Sequence, residues 1–327
     1  MGTGVIGGID IGGTKVAVTL ATEKAVLCRL SEPTCKTGTP EALPGQLIAL
    51  LQSAMSQAGV AGLDAVGVSS CGPFARIDGH LALVTPNICG ALSVANDLPN
   101  DWANIPLERV LRRHLADITI CNDAVSALHA ERLFGAVQDE PDCIYVTWST
   151  GVGFGLCVDG KLLAGKHGNA GHAGHMLMSE TSDALCGCGN RGDLEGMISG
   201  RNLARRLGRS TTDIFNDARQ GNAAAREIVM DAAHWLGRAL YNLTAILDTR
   251  RIVIGGAVWE HHGDWLAPVV QAEISSRLPA LSSGVQVFDA GLGPLVADIG
   301  ALSLVMPQSW QAQWRVTHPW LGLAETS

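Results

Sequence analysis

The chain has no excess of positive charge: 23 lysines and arginines stand against 31 aspartates and glutamates, a formal net charge of −8. Nucleic-acid affinity comes from neutralising phosphates, so this composition argues against that class of partner. No stretch approaches the roughly 20 apolar residues a membrane span needs. The opening MGTGVIGGIDIGGTK has neither a cationic start nor an apolar run long enough for export, so no membrane or secretory route is expected. Two nucleotide signatures are also missing. DIGGTK at 10–15 fails the GxxxxGK[ST] spacing of a P-loop, and the GxGxxG of a dinucleotide fold is absent there. Cysteine is present in an odd number, nine, in a chain too large to need staples. Cys28, Cys35, Cys71, Cys89, Cys121, Cys143 and Cys157 stand isolated among apolar or small residues and read as reduced thiols in a cytoplasmic compartment.

What is present is a globular composition, 47% hydrophobic and 17% charged, over 327 residues. That length suits two α/β domains of roughly 100–200 residues each. The first 33 residues read as three short strands joined by tight turns, with Gly12, Gly13 and Thr14 as the first turn. A helix is expected near 40–57, a buried strand at 65–70, extended pieces to 86 and a helix near 107–115. A strand at 118–121 then runs through Asn122-Asp123 into a helix at 124–134. After residue 141 the opening pattern returns, its turn about 140 residues beyond the first. This reads as a duplication, two domains that each open with three strands and face one another across a cleft. An irregular Gly/His/Cys-rich stretch fills 165–195. A long apolar-periodic helix is expected at 223–247 and a strand at 251–254 leading into Gly255-Gly256. The tail carries Trp310, Trp314 and Trp320, expected as a strap packed on the body, with a dimer contact as the alternative.

A strand–turn–strand with two glycines exposes backbone N–H groups that can take phosphate oxygens. At the first turn Thr14 adds a hydroxyl and Lys15 a charge, and Asp10 would orient Mg-bound water. The ordinary alternative is a plain hairpin. Thr150, Gly151 and Gly153 repeat the turn in the second half, and two such loops at equivalent positions can hold a triphosphate from both sides. Gly255 and Gly256 after a buried strand are a third candidate, where flat backbone admits adenine; a plain strand-to-helix turn is the alternative. Asp123 stands at a strand-to-helix junction, where Asp serves as an N-cap. It also stands where α/β folds bind ligands, and a carboxylate there can act as general base. His172, His175, Cys186, Cys188 and Asp193 cluster in Gly-rich loop with spacing that suits a tetrahedral zinc site.

Taken in order, these segments resemble the ROK family of sugar kinases and related repressors. The residues carrying the resemblance are DIGGTK at 10–15, GVSSCGP at 67–73, Pro86-Asn87, NDA at 122–124 and STGVGFG at 149–155. They continue with GHAGH at 171–175, CGCGNRGDLE at 186–195 and VIGGAV at 253–258. The resemblance implies an α/β, duplicated two-domain fold of the actin-like ATPase (ribonuclease H-like) class with a central cleft. An N-terminal domain of residues 1–121 would be joined by about 295–327. A larger domain of 122–294 would carry the metal loop 165–195.

The implied reaction is Mg-ATP-dependent phosphorylation of a hexose or N-acetylhexosamine at its 6-hydroxyl, with Asp123 as base. Asn87, Asn122, His172, His175 and Glu195 would contact the sugar. Structural zinc would sit on His175, Cys186, Cys188 and Asp193, and a homodimer is the family default. Three positions depart from the family pattern. Asp193 stands at a usual Cys, His172 at a usual Glu and Cys71 at a usual Pro. A GHxGH loop resembles that of bacterial N-acetylmannosamine kinases and inclines the substrate towards an N-acetylated amino sugar, with glucose and mannose as alternatives. A family repressor would carry a winged helix before the DIGGTK block, and only nine residues precede Asp10. A catalytically silent sugar-binding regulator is the other reading.

Overall fold

Short apolar runs punctuated by glycine turns make the first sheet. Strands β1 (Ile6–Ile11), β2 (Lys15–Ala21) and β3 (Val26–Pro33) form an antiparallel meander. The computed structural model describes residues 4–94 and 97–324; the outermost ends of the expected domains, 1–3 and 325–327, lie outside them. Helix α1 (Ala42–Ala58) buries Leu43, Leu47, Leu50 and Ala54, a stripe at helical spacing, and ends where Gly59 turns left-handed. Then come β4 (Ala65–Ser70), the hairpin β5 (Phe74–Ile77) and β6 (His80–Leu83), helix α2 (Leu107–Leu111), β7 (Ile118–Asn122) and helix α3 (Asp123–Phe134). The first sheet runs β3-β2-β1-β4-β7, with β1, β4 and β7 parallel.

The second sheet repeats this order. Strands β8 (Cys143–Trp148), β9 (Val152–Val158) and β10 (Lys161–Leu162) form the meander. Four helices follow the irregular loop: α4 (Leu194–Ile198), α5 (Gly200–Leu207), α6 (Thr211–Arg219) and α7 (Ala223–Leu247). Strand β11 (Arg251–Gly255), helices α8 (Ala257–Ser275) and α9 (Pro279–Ser282) and strand β12 (Gln286–Asp289) complete the set. The order β10-β9-β8-β11-β12 matches the first sheet position for position, with β8, β11 and β12 parallel. The duplication expected from the two glycine turns is therefore present in the topology.

Helices α10 (Val296–Ser303), α11 (Gln308–Thr317) and α12 (Leu321–Ala324) return to the first sheet. Gly67 in β4 admits α10 closely, since a Cβ there would collide with the Ala301 carbonyl. Trp310, Trp314 and Trp320 are all buried, and the Trp314 indole donates to Thr22 O at 3.2 Å. The tail is thus the strap that its tryptophans and few charges imply.

By contacts the chain forms two compact units. The first runs to Gln138, takes in Ala164–Ala170 and resumes at Pro294; the second is Asp139–Leu163 with Gly171–Gly293. Sequence reading put α3 in the second domain. Its contacts with α10 and α11 hold it in the first unit instead. Each unit has its own core, one on Ile9, Val18, Leu47 and Val68, the other on Trp148, Phe215, Leu236 and Ile254.

Candidate active site

In the first unit the parallel strands β1, β4 and β7 end side by side, and their carboxyl ends carry the polar residues. Asp10 pairs with Ser69, and Ser70 pairs with Asn122. Apolar side chains fill the strands behind them, so polar groups collect at the one edge where α/β sheets bind ligands. Asn122 caps α3: its Oδ1 accepts from Ala124 N at 3.0 Å and Val125 N at 3.4 Å. The cap is therefore Asn122 and not Asp123, and the Asn122 amide group keeps its two donors. Asp123 is the first helical residue, with Oδ1 accepting from Ala124 N at 2.8 Å. The Ser69 and Ser126 hydroxyls, 2.8 Å apart, run from the Asp10 carboxylate to the backbone of α3: Ser69 hydrogen-bonds Asp10, and Ser126 donates to the Asp123 main-chain carbonyl at 2.9 Å.

Burial pushes the Asp10 carboxyl up to about 7, and the charges of Asp298 and Asp123 push the same way, against Ser69 and Lys15. Asp298 is a residue the sequence reading missed. It is buried, accepts from the Thr19 hydroxyl at 2.6 Å and pairs with Arg29 Nε at 2.9 Å. The charges of Asp123 and of the Arg29-paired Asp298 both bear on Asp10, and a divalent cation beside Asp10 would relieve them, which fits the expected Mg²⁺.

The first turn is built to present donors. Gly12 N donates to Lys15 O at 3.0 Å, while the Gly12 and Thr14 carbonyls are taken by the Thr34 hydroxyl and the Thr34 N–H. The N–H groups of Gly13 and Thr14 have no partner among the described residues. Asn87 sits over this turn, its Cβ 3.3 Å from where a Gly13 Cβ would lie. The Lys15 side chain is exposed.

The turn at 149–151 in the second unit repeats the device. Its carbonyls are taken: Ser149 O by Gly200 N at 2.9 Å, Thr150 O by Arg201 N at 3.1 Å and Gly151 O by Ser149 N at 3.0 Å. The N–H groups of Thr150 and Gly151 have no partner among the described residues. Gly153 differs from expectation. It lies inside β9, paired with Thr147, and is not part of the turn. Gly255 ends β11, and Gly256 starts α8 with φ of 89°, a conformation that favours glycine. Gly255, Trp259, Glu260, Gly263, Asp289 and Ala290 line a cavity of about 360 Å³. The Trp259 indole donates to Asp289 Oδ1 across it at 2.8 Å. A larger cavity of about 650 Å³ in the first unit, between Gly38, Asp78 and Arg109, contains none of the residues above.

The loop before α4 brings His175, Cys186, Cys188 and Asp193 together, with one ligand atom of each within 4.8 Å of all the others. His175 Nδ1 lies 3.1 Å from Asp193 Oδ2, 3.9 Å from Cys186 Sγ and 3.6 Å from Cys188 Sγ. Cys188 Sγ to Asp193 Oδ2 is 3.6 Å. Zn–S bonds of about 2.3 Å and Zn–N/O bonds of about 2.0 Å at tetrahedral angles give edges of roughly 3.3–3.8 Å. The donor set therefore fits zinc in type and size. Its electrostatics also call for a cation: hydrogen bonds to Asp193 and then Cys188 raise the His175 imidazole to about 10. The Cys186 hydrogen bond, seconded by His175, pulls the Cys188 thiol down.

Asp193 does two things at once, its Oδ1 capping α4 by accepting from Gly196 N at 2.7 Å while Oδ2 faces the cluster. Gly174 holds the histidine loop against β9, where a Cβ would collide with Val152 O. His172 stacks on His175 with ring centroids 6.2 Å apart. Glu195 follows in the first turn of α4, with Oε2 accepting from Val152 N at 3.0 Å and Oε1 3.5 Å from Cys186 Sγ.

The sequence and the fold are similar to those of known proteins. The family model described as "ROK family" matches residues 6–308. A curated N-acetylmannosamine kinase of Shigella boydii is 34% identical over 259 residues, covering 76% of this chain and 82% of its own. A ROK hexokinase structure from Thermus thermophilus aligns at a TM-score of 0.72 and 29% identity, over 91% of this chain and 97% of that one. A ROK glucokinase of Streptomyces griseus, solved with glucose and AMPPNP, aligns at 0.69 and 28%, over 92% and 99%. This sequence, with its two sheets of one topology and its Cys/His loop, belongs to the ROK family, whose kinases have the actin-like ATPase fold.

Proposed function

We propose that this chain is an ATP-dependent sugar kinase that phosphorylates the 6-hydroxyl of a hexose or N-acetylhexosamine, with N-acetylmannosamine the first candidate. The observation that carries the reading is the pair of equivalent turns, each with at least two carbonyls tied back and two N–H groups left for anions. The named relatives point the same way, one an N-acetylmannosamine kinase and one solved with glucose and AMPPNP.

In this reading Asp123 accepts the proton of the attacking hydroxyl, a task worth about 10²–10⁴ in rate. The rigid cap beneath it, Asn122 on Ala124 and Val125, holds its backbone in place. Asn87, the Asn122 amide, His172, His175 and Glu195 contact the sugar. Thr14 and Lys15 with Gly12 and Gly13, and Thr150 with Gly151, hold the phosphates, while Gly255 and Gly256 border the base in the cavity beside Trp259. Asp10 would hold the Mg²⁺ that accompanies ATP through a bound water, and the cation would supply charge neutralisation at the phosphates. Zinc on His175, Cys186, Cys188 and Asp193 would add a structural pin to the loop bearing Glu195. An imidazole at 172 offers one donor and one acceptor in place of a carboxylate's acceptors, which suits an acetamido group better than a second hydroxyl.

A cytoplasmic location and a homodimer complete the proposal. All nine cysteines are free thiols, and no helix among the described residues is long and apolar enough to cross a membrane. The test is ADP release with Mg-ATP across glucose, mannose, fructose, N-acetylglucosamine and N-acetylmannosamine. A preference for N-acetylmannosamine is expected. A preference for glucose would keep the kinase and remove the role given to His172; silence on every sugar would favour a regulator.

A further inference from the structure

Three N–H groups follow one another at the second glycine turn, and they are treated differently. Those of Thr150 and Gly151 have no partner among the described residues, while that of Val152 points at Glu195 Oε2, 3.0 Å away. The carboxylate lies flush on the turn, since a Cβ on Gly151 would sit only 3.0 Å from the same oxygen. Its backbone cannot drift. The Glu195 carbonyl accepts from Ser199 N at 3.0 Å and Asn202 Nδ2 at 3.1 Å, and the neighbouring Leu194 is fully buried. The side chain, by contrast, is held only through its carboxylate oxygens, on Val152 N and Cys186 Sγ.

From this geometry we infer that Glu195 couples sugar binding to nucleotide binding through the Val152 N–H. The inference rests on the kinase reading above. With no sugar present, the carboxylate occupies one of the turn's donors and sets a negative charge where phosphate oxygens would come, so it opposes the nucleotide. A sugar hydroxyl donating to Glu195 draws its charge away from the turn and loosens its hold on Val152. The nucleotide then meets three donors and less repulsion. ATP therefore binds weakly until the acceptor sugar is in place, which limits wasteful hydrolysis, and linkage requires ATP to tighten the sugar by the same factor. Glu195 acts here as a positioning residue for the phosphate turn, in addition to touching sugar.

The experiment is calorimetric titration of AMPPNP with Mg²⁺ into the purified full chain and its Glu195→Gln variant, each without sugar and with saturating N-acetylmannosamine. Gln keeps an acceptor for Val152 but removes the charge. In the unmutated chain, the sugar should tighten AMPPNP by about fivefold or more. In Glu195→Gln the sugar-free affinity should already have risen by a similar factor, leaving a sugar effect within about twofold. A sugar-free affinity unchanged or lowered in the variant overturns the coupling while leaving the kinase intact. AMPPNP failing to bind either protein, with or without sugar, overturns both. A second measurement needs no variant: the Val152 amide resonance of the ¹⁵N-labelled chain should shift when sugar alone is added, and its constancy would overturn the inference.

Discussion

Asp193 is one side chain with two tasks, and the tasks can be separated. Its Oδ1 caps α4 and its Oδ2 stands among the metal donors. Asp193→Asn retains a carbonyl oxygen for the Gly196 N–H but loses the charge. Bound zinc, measured by elemental analysis, should fall by roughly tenfold or more. The chelated protein should keep the cap, worth about 1 kcal/mol, and should melt lower only by what the lost His175–Asp193 ion pair contributes. Asp193→Cys reverses the pattern, holding metal while giving up the cap. Asp123 divides in the same way between local structure and chemistry. In Asp123→Asn the carbonyl oxygen still accepts from Ala124 N, so folding and sugar binding should persist. Turnover should drop by about 10²–10⁴, read as kcat in the ADP-release assay. Near-normal kcat would take the base role away from Asp123.

At the scale of elements, the junction from β7 to α3 decides whether Asp123 is aimed. Asn122 bonds two of the helix's orphan N–H groups. Asn122→Ala should therefore lower stability by about 0.5–2 kcal/mol in urea unfolding. It should also lower kcat, since the first turn carrying Asp123 frays. Sequence reading found this strand and helix within a residue or two but gave the cap to the wrong neighbour. An Asn-Asp pair offers two good caps, and only backbone geometry chooses between them. Other elements were more legible. The helix at 223–247 declares itself by buried Val229, Ala233, Leu236 and Leu240 at spacings of three and four. The two strand–turn–strand openings announced a duplication, and the sheets share one order. Asp298 left no local signal. It lies in the apolar segment LVADIGAL, and its hydroxyl partner Thr19 is 279 residues away. Gly153 was misread for the opposite reason, because a glycine run looks the same in a turn as in the strand that leaves it.

Over the whole molecule, stability responds to pH through groups whose proton affinity changes on folding, and Asp10 acts across the middle range. Its carboxyl rises from 3.8 to about 7, through burial first and then through Asp298 and Asp123. Between about pH 4 and pH 7 the folded chain thus holds a proton that the unfolded chain has released. Its contribution is fully present below the unfolded value, declines as pH rises through that window and is gone above about 7. The lowered carboxylates Glu108, Asp193 and Glu273 run the other way, gaining stability with rising pH near their ordinary values, so they act at the acidic end. His129 and His262, lowered chiefly by burial, also oppose Asp10 as pH climbs towards 6.5. Only a difference between proteins isolates the Asp10 slope. Urea midpoints of the wild type and of Asp10→Asn should diverge steadily from pH 5 to pH 7, the variant gaining relative to the wild type as pH rises. Millimolar Mg²⁺ should shrink the gap, because a cation beside Asp10 favours the charged carboxylate and should do so most at the alkaline end. Parallel midpoints across that range would mean that Asp10 is already ionised at pH 5.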